Sequence, residues 1–455
     1  MTRFISSFCI LAISLWGLSP GMTRFSNEQP DQANIHKNIE EDTLTVLLTG
    51  NVLSTLKPCG CTTEQLGGFD KRAAIIEQTP PDRTLLIDTG NLLADETEQD
   101  NIKLGIIFQA LSTLGYDLVN LTEDDLRIAG VLGLLEDVPF KIISYACDDN
   151  SDIGAGYTRR FQFAGKSLSV TVATADALSG QINSLTELFA SGSGSLQLNI
   201  LIINNCDEST IDRIVDLDLI DVIICPTSAD EPRVVNIKNP GPLFISVGQF
   251  GEYFGRLTVG ITPGQKFKFD YRKVPIEEKL PSDPGLVQLY KDYQLMVREE
   301  DLLGQVSRVT LPNGLEYLGS KSCGLAPCHK YEYKIWSKKS PHNHAYQTLV
   351  KVGSQYDPEC VICHVVGLTY ETGFVSEKSQ KDLRDVGCEV CHGPGSKHMA
   401  ALLMNEKDSG TDEPKSRCID CHTSEHSPEF EAKEQQYRKK IVHWKEQNRD
   451  EDVKN

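Results

Sequence analysis

Four short motifs of cysteine and histidine occupy the last 133 residues of the chain and are its most informative chemical feature. In each motif two thiols are separated by two or four residues, and a histidine directly follows the second thiol. Paired thiols can bond to the vinyl groups of a porphyrin, and the adjacent imidazole can then ligate its iron. The sequence therefore predicts four covalently attached haem c groups. The motif thiols are Cys323 and Cys328, Cys360 and Cys363, Cys388 and Cys391, and Cys418 and Cys421, followed in the same order by His329, His364, His392 and His422.

Two other uses of paired cysteines fit this pattern less well. A zinc site needs four thiolates, or thiolates and imidazoles in loose order, and does not need a histidine after every second cysteine. A disulfide framework would leave the four following histidines without a role. The first motif has four residues between its thiols instead of two, but it keeps the histidine and lies beside the other three. We therefore interpret all four as haem sites.

The N-terminus has the features of an export signal. Arg3 is followed by an apolar run at residues 4–18, which is short for a membrane span, and then by Pro20. We expect residues 1–26 to be a signal peptide, with an uncleaved N-terminal anchor as the alternative. Haem is attached to cysteines outside the cytoplasm in bacteria, so both features predict a periplasmic or otherwise extracytoplasmic protein. Contact with a membrane is expected only through such an anchor.

The charge of the chain is uneven. The formal net charge is −19, of which the first 315 residues carry −17 and the remaining 140 carry −2. This balance excludes nucleic acid as a partner, because binding to phosphates requires basic surface. An acidic surface would attract a basic redox partner. The alternative is that the acidity only keeps an exported protein soluble.

The first half of the chain has the pattern of an α/β domain. Short apolar runs alternate with helical stretches, such as residues 69–78 and residues 103–114, the second of which ends at Gly115. Several runs are apolar at every position, as strands covered on both faces by helices require. The predicted strands are residues 44–48, 84–87, 140–143, 168–173, 199–203, 222–225 and 243–247.

Six segments of this half follow, in order, the skeleton of a known family. They are residues 45–51, 67–76, 85–91, 115–126, 220–226 and 247–257. Residues 43–262 thereby resemble the 5′-nucleotidase-like branch of the calcineurin-type metallophosphoesterases. The resemblance implies a two-sheet α/β sandwich whose loops hold two metal ions in active members.

The metal positions of that family are where this sequence departs from it. Asn51-Val52-Leu53 stands in place of Asp-x-His, and Gly90-Asn91 stands in place of Gly-Asp. Residues 122–125 and 225–228 match the two later histidine segments without a histidine, and none occurs between His36 and Cys323. Because a dinuclear site of this type depends on imidazole ligands, we expect no phosphoesterase activity. An oxygen-only cation site at residues 123–125 remains the alternative to a solvated acidic turn.

Two further thiols follow the first predicted strand. Cys59 and Cys61 are separated by one residue, in the loop where the metal site of the resembled family would open. They could bind a soft metal, form a strained bridge, or pair with other cysteines of this half. We treat them as a second candidate site. The other cysteines, Cys147, Cys206 and Cys225, are expected to be buried and structural.

Residues 316–443 resemble the cytochrome c-554 family of multihaem carriers linked to hydroxylamine oxidation. The match is carried by residues 317–320, by Trp336 with residues 340–345, and by residues 386–395 leading to His398. The resemblance implies a mainly helical and irregular fold, in which four closely spaced haems take the place of a side-chain core. Residues 316–455 are therefore the predicted tetrahaem domain, and residues 263–315 are a connector that contains a helix at 286–303.

Five histidines outside the motifs are available as second axial ligands of the irons. The resemblance favours His342 and His398, then His344 and His443, then His426. Met399 and Met404 are alternatives, although histidine pairs are favoured and give low potentials. In the resembled family the haem at the second attachment site is typically five-coordinate. His364 would then be the sole protein ligand of that iron.

Two functions are compatible with these features. The first is an exported electron carrier that relays electrons from one redox protein to another, with the α/β domain used for docking or assembly. The second is a multihaem reductase that acts on a small nitrogen oxide at a five-coordinate haem. The supply of five spare histidines favours the carrier, because it suffices to ligate every iron. A phosphoesterase connected to haems is a weaker third hypothesis.

Overall fold

The computed structural model describes most of the chain between Thr43 and Trp444. The described residues belong to one compact unit, in which elements of the two halves contact each other. The described residues are 43–58, 65–147, 153–163, 166–176, 188–189, 196–204, 219–226, 229–237, 241–262, 267–325, 328–378, 381–406, 417–423, 426–427 and 429–444.

In these residues twelve strands form two six-stranded sheets. Their central members are almost wholly apolar and buried, as expected where helices or a second sheet cover both faces. The strands are β1 Thr43–Thr49, β2 Thr84–Asp88, β3 Leu118–Asn120, β4 Lys141–Ile143, β5 Gly156–Phe163, β6 Lys166–Asp176, β7 Leu196–Asn204, β8 Val222–Ile224, β9 Arg233–Ile237, β10 Leu243–Ser246, β11 Tyr253–Gly260 and β12 Lys268–Pro275.

Both sheets are mixed. The first has the order β12-β11-β1-β2-β3-β4, in which β1 to β4 are parallel and the other two are antiparallel at one edge. The second has the order β5-β6-β7-β8-β10-β9, with β5 and β9 as its antiparallel edges. Because parallel strands end at the same edge of a sheet, the loops after β1, β2 and β3 lie side by side.

The two sheets pack face to face. Leu44, Val46 and Leu48 alternate along β1 and lie in one apolar cluster with Val170 of β6 and Ile200 of β7. All five are fully buried. This cluster is the centre of the predicted two-sheet α/β sandwich, and alternation along the strand is what directs these side chains to one face.

Helices cover the outer face of the first sheet. They are α1 Phe69–Ile76, α2 Glu98–Leu114 and α3 Glu123–Val131. In α2 the fully buried Leu104, Ile107 and Leu111 recur at helical spacing. The Thr97 hydroxyl caps the helix by accepting from the Asp100 amide, and Gly115 ends it with a φ of 72°.

All seven strands predicted from the sequence are present, the connector contributes an eighth strand, β12, and four more are additional. The additional strands are β3, β5, β9 and β11. A piece of the predicted connector, at residues 268–275, is the edge strand β12 and pairs with β11 along its length. The helix predicted at residues 103–114 begins five residues earlier than expected, because the Thr97 cap is followed by a polar first turn.

The second half is helical with irregular connections, as predicted. The helices are α4 Pro284–Glu299, α5 Leu302–Gln305, α6 Ser320–Cys323, α7 Lys330–Lys339, α8 Ala345–Val352, α9 Pro358–His364, α10 Cys388–His392, α11 Ser396–Leu403 and α12 Phe430–Ile441. In the described part of the chain, no helix is long and apolar enough to cross a lipid bilayer.

This half also has a side-chain core of its own, which the resemblance did not predict. Tyr346 and Leu349 of α8 pack with Val361 of α9, and Phe374 and Leu303 close the cluster. The core surrounds the second cysteine-histidine motif. Its presence means that this motif is held by apolar packing of the chain itself.

Candidate haem-binding site

The four motifs lie on short helical segments. The second motif lies within α9, and the third forms the whole of α10. The first begins at the end of α6 and reaches the start of α7, and the fourth is a 3₁₀ turn at Cys418–Asp420 with the two residues after it. A helical turn brings the two thiols and the following imidazole of one motif close together.

The motifs are neighbours in two pairs. The thiol of Cys323 in the first motif lies beside that of Cys388 in the third. Cys363 in the second motif lies beside Cys421 in the fourth. The fold therefore brings together motifs that are far apart along the chain.

Three motif histidines each face a second histidine at a nearly constant spacing. The ring centroids are 6.1 Å apart for His329 and His398, and 6.4 Å apart for His422 and His342. They are 6.0 Å apart for His392 and His443. Two imidazoles on opposite sides of one metal, with bonds of about 2 Å, place their centroids about 6 Å apart. The donor set therefore fits three irons that each have two histidine ligands.

Hydrogen bonds at Nδ1 orient several of these rings. His364 Nδ1 lies 2.6 Å from the Ala345 carbonyl oxygen, and His443 Nδ1 lies 2.9 Å from the Ile441 carbonyl oxygen. His422 Nδ1 lies 2.9 Å from the Ser427 hydroxyl. In each case the other nitrogen, Nε2, is left for a metal, as is usual for histidine ligands.

Burial also favours the neutral form of these imidazoles, which is the form that binds a metal. The pKa of His342 is lowered to about 4, first by burial and then by the charges of His422 and His364. Burial likewise lowers the pKa of His364 and of His422. At neutral pH the three rings are therefore uncharged and able to donate a lone pair.

The remaining candidate ligands are placed differently. Among the described residues, His364 faces no histidine at the spacing of the three pairs. His344 is exposed at the end of a 3₁₀ turn. His426 Nδ1 bonds with the Thr423 hydroxyl at 2.8 Å. The assignment of His342, His398 and His443 as distal ligands stays a prediction that this geometry supports.

Two carboxylates that position the motifs were not identified from the sequence. Glu389, inside the third motif, is buried and accepts hydrogen bonds from the amides of Leu318, Gly319 and Gly395 at 2.7 to 3.0 Å. Asp357 caps the helix of the second motif. An Asp-Pro pair at a helix start is a recognisable capping signal, whereas the role of Glu389 depends on contacts 70 and 71 residues away.

Asparagine side chains join the loops where the resembled phosphoesterases hold metal. Asn91 Nδ2 donates to Asn51 Oδ1 at 3.0 Å. Asn51 Nδ2 donates to the carbonyl oxygens of Pro226 and Gly248, both at 2.7 Å, and so links the first sheet to loops of the second. Neutral amides therefore stand, hydrogen-bonded to each other, at the two positions where the resembled family has carboxylates.

In the acidic turn after β3, the carboxylate of Asp125 is also used in local hydrogen bonds. Asp125 is buried and accepts from the backbone amides of Asn91, Leu92 and Leu93. Asp124 is exposed and lies near Arg127. In the described residues, no group of three or more acidic, histidine or cysteine side chains is arranged to hold a metal ion.

A buried polar chain lies beneath these loops. Asp88 accepts from the Thr49 hydroxyl at 2.7 Å, which bonds with the Tyr116 hydroxyl at 2.8 Å. Arg72 in turn donates to the Tyr116 hydroxyl at 3.1 Å. Asp88 is fully buried, and burial raises its pKa while the charge of Arg72 opposes the rise.

The raised pKa of Asp88 predicts a pH dependence. The folded state binds the proton more tightly than the unfolded state, so this stabilising contribution is complete below a pH of about 4 and is lost as the pH rises through the folded pKa. Asp88→Asn should therefore gain in free energy of unfolding relative to wild type as the pH is raised. Urea titrations from pH 4 to 8 measure this. Asp82→Asn, at a side chain that is 79% exposed, is the control.

The other cysteines divide into three groups. Cys59, Cys61 and Cys206 lie outside the described residues, so the second candidate site remains a prediction. Cys225 is fully buried and forms a disulfide. Cys147 is partly buried.

Comparisons with known proteins agree with the motif analysis. Residues 323–393 match the model of the family "Cytochrome c554 and c-prime". The chain is 35% identical over 92 residues to cytochrome c-554 of Nitrosomonas europaea, an alignment that covers 17% of this chain and 38% of that protein.

Similar solved structures include two nucleotidases. A 5′-nucleotidase precursor from Thermus thermophilus has 15% identity and a TM-score of 0.44, over 59% of this chain and 61% of that one. The NAD nucleotidase of Haemophilus influenzae has 15% identity and a TM-score of 0.45, over 64% and 68%. The match to the family model covers the first three motifs. Residues 323–393 of this chain are therefore similar to the cytochrome c554 and c-prime family, and this similarity implies covalently bound haem c.

Proposed function

We propose that this protein is an exported tetrahaem c-type cytochrome that relays electrons between two redox proteins. The observation that supports this most strongly is the pairing of His329, His392 and His422 with three histidines from elsewhere in the chain. Each motif would hold one haem through its two thiols. Haem c, when bound, supplies an iron that alternates between ferrous and ferric states, and two imidazole ligands favour a low potential.

The α/β domain is proposed to be inactive as a phosphoesterase and to serve docking or assembly. The hydrogen bond between Asn51 and Asn91 occupies the two positions that supply metal ligands in the resembled family. Asp125 is saturated by backbone donors. The acidity of this half supports a basic redox partner. The disulfide at Cys225 supports an oxidising, extracytoplasmic location.

The haem count tests the proposal directly. A pyridine haemochrome assay on the purified full chain should give four haems per polypeptide. Rapid mixing with a small reductant and then with a small oxidant should show every haem reduced and reoxidised. A count of two or fewer would contradict the tetrahaem assignment, and haems that stay oxidised in reductant would contradict the relay.

Removing one distal histidine should change the spin state of one haem. In His398→Ala the partner of His329 is lost, so we expect one additional high-spin ferric signal in the electron paramagnetic resonance spectrum, with the haem count unchanged. His344→Ala is the control, because His344 is exposed and unpaired with a motif histidine. Equal spectra for the two variants would contradict the pairing of His329 and His398.

Restoring one acidic residue should not restore hydrolysis. In Asn91→Asp a carboxylate oxygen faces Asn51 Oδ1, so a hydrogen bond is replaced by repulsion, and we expect a loss of about 1 to 3 kcal/mol in free energy of unfolding. Asn313→Asp is the matched control, since Asn313 is exposed and has a similar positive φ. Manganese-dependent hydrolysis of nitrophenyl phosphate by either the variant or the wild type would contradict the inactive assignment.

A second candidate function is reduction of a small nitrogen oxide. It is favoured by His364, whose ring faces no histidine of the described residues at the spacing of the other pairs. A high-spin ferric signal in the wild-type protein that responds to nitric oxide would support this alternative. Low-spin signals from every haem, unchanged by nitric oxide, would contradict this alternative and favour the electron relay.

A further inference from the structure

The helix of the second haem motif is anchored by Gln99 of the α/β half and by two residues of the connector helix α4. Asp357, which caps α9, is 3% exposed. Its carboxylate accepts from Gln99 Nε2 at 2.7 Å, from the Tyr293 hydroxyl at 3.0 Å and from Gln294 Nε2 at 3.2 Å. Gln99 lies on α2, and the other two donors lie on α4. Three hydrogen-bond donors around the buried carboxylate stabilise its negative charge and fix the direction in which the helix begins.

The same carboxylate also serves its own helix. Asp357 Oδ1 accepts from the Glu359 amide at 3.1 Å, and the amides of Cys360 and Val361 bond to the Asp357 carbonyl oxygen at 3.1 and 2.9 Å. Gln99 Nε2 further bonds to the Tyr293 hydroxyl at 2.8 Å. The first turn of α9 and the two anchoring helices therefore share one hydrogen-bond network.

A charge pair lies next to this network. Lys103, one turn after Gln99 on α2, has its Nζ 2.5 Å from Glu359 Oε2, and its side chain is only 8% exposed. A lysine this buried requires a counter-charge, and Glu359 is the residue directly before the thiol of Cys360. The ammonium of the α/β half is thus placed beside a haem-attachment residue.

Apolar packing completes the arrangement on the other side of α9. Val361 is fully buried against Leu303 of α5 and Tyr346 of α8. The guanidinium of Arg298 on α4 lies 5.0 Å from the ring centroid of Tyr356, just before the capped turn. With its start held by polar groups and one face by apolar groups, α9 has little freedom to tilt.

We propose that the α/β domain holds the attachment helix of the second haem in place, with Gln99 and Lys103 as positioning residues. Gln99 holds the attachment helix through Asp357, and Lys103 sets the electrostatic potential around the haem carried by Cys360 and Cys363. This inference rests on the proposed tetrahaem function and extends it. It assigns the α/β domain a direct influence on one redox centre, in place of a purely external docking role.

Hydrogen exchange tests the mechanical part of the proposal. In full-length Gln99→Leu, the backbone amides of residues 359–364 should exchange about tenfold faster, because two hydrogen bonds to buried partners are lost. Gln109→Leu is the matched control, since Gln109 is exposed on the same helix. Exchange unchanged in this segment, or increased equally throughout the protein, would overturn the proposal.

Redox titration tests the electrostatic part and separates it from a merely structural role. Lys103→Met should shift the potential of a single haem to more negative values, and Glu359→Gln should shift that haem to more positive values. Shifts of the same sign, no shift in folded variants, or shifts of every haem alike would each overturn this part. A wild-type haem count of two or fewer would contradict the proposed function, whereas the exchange experiment would still test whether the α/β domain holds α9 in place.

Discussion

Replacement of Glu389 by leucine should cost the protein its first and third haems. The buried carboxylate accepts from three backbone amides, those of Leu318, Gly319 and Gly395. Leucine preserves the volume but leaves these donors unsatisfied in the interior, at about 1 to 3 kcal/mol each. We expect the pyridine haemochrome ratio of the purified chain to fall to roughly half the wild-type value.

The physical reason is that Glu389 joins the two motifs. Residues 318–319 lead into the first motif, and the Ser320 hydroxyl accepts from the Cys388 amide of the third at 3.0 Å. Without the carboxylate, the segment before Cys323 loses its position relative to Cys388. Glu431→Leu, at an exposed position of α12, is the control. A Glu389→Leu protein with a normal haem ratio and unchanged thermal unfolding would refute this role.

Replacement of Arg72 by leucine should destabilise the α/β half by about 3 to 5 kcal/mol. Arg72 is 1% exposed, donates to the Tyr116 hydroxyl, and stacks with its guanidinium carbon 3.9 Å from the Phe69 ring centroid. Its charge compensates the buried carboxylate of Asp88. Breaking such a buried arrangement by removing one partner leaves an uncompensated group in the core.

A double substitution separates the charge effect from the loss of packing. Arg72→Leu with Asp88→Asn should recover part of the lost stability, because the unpaired carboxylate is gone. Arg272→Leu is the control, since Arg272 forms an exposed ion pair and its side chain is 74% exposed. The denaturant midpoint is measured for the full chain of the wild type, Arg72→Leu, the double variant and Arg272→Leu. A loss below about 1 kcal/mol in Arg72→Leu, or no recovery in the double variant, would contradict this account.

The limits of the sequence analysis are visible in particular strands. The strands β1 and β7 were predicted because the runs at residues 44–48 and 199–203 each have four apolar residues out of five. The three-residue β3 was not predicted, and neither was β5, in which only two of the eight residues are buried. A strand that short is defined by its pairing with β2 and β4, and pairing is a property of the folded chain.

The same distinction holds at the candidate site. The attachment chemistry can be read from the sequence because the two thiols and the imidazole of each motif lie within at most seven consecutive residues. The partner of each imidazole is not, because His392 and His443 meet across 51 residues and His342 and His422 across 80. Only folding decides which of five spare histidines lies opposite which motif.

The sequence alone determined the local chemistry. This comprises the haem motifs, the loss of metal-binding residues at positions 51 and 91, and the alternation of apolar strand segments with helical segments. What the tertiary structure decided is every relation between distant residues. Asn51 and Asn91 bond across 40 residues, Gln99 and Asp357 across 258. Such contacts depend on how sheets and helices pack, because the free energy that selects them is shared over the whole core and is not carried by either residue of the pair.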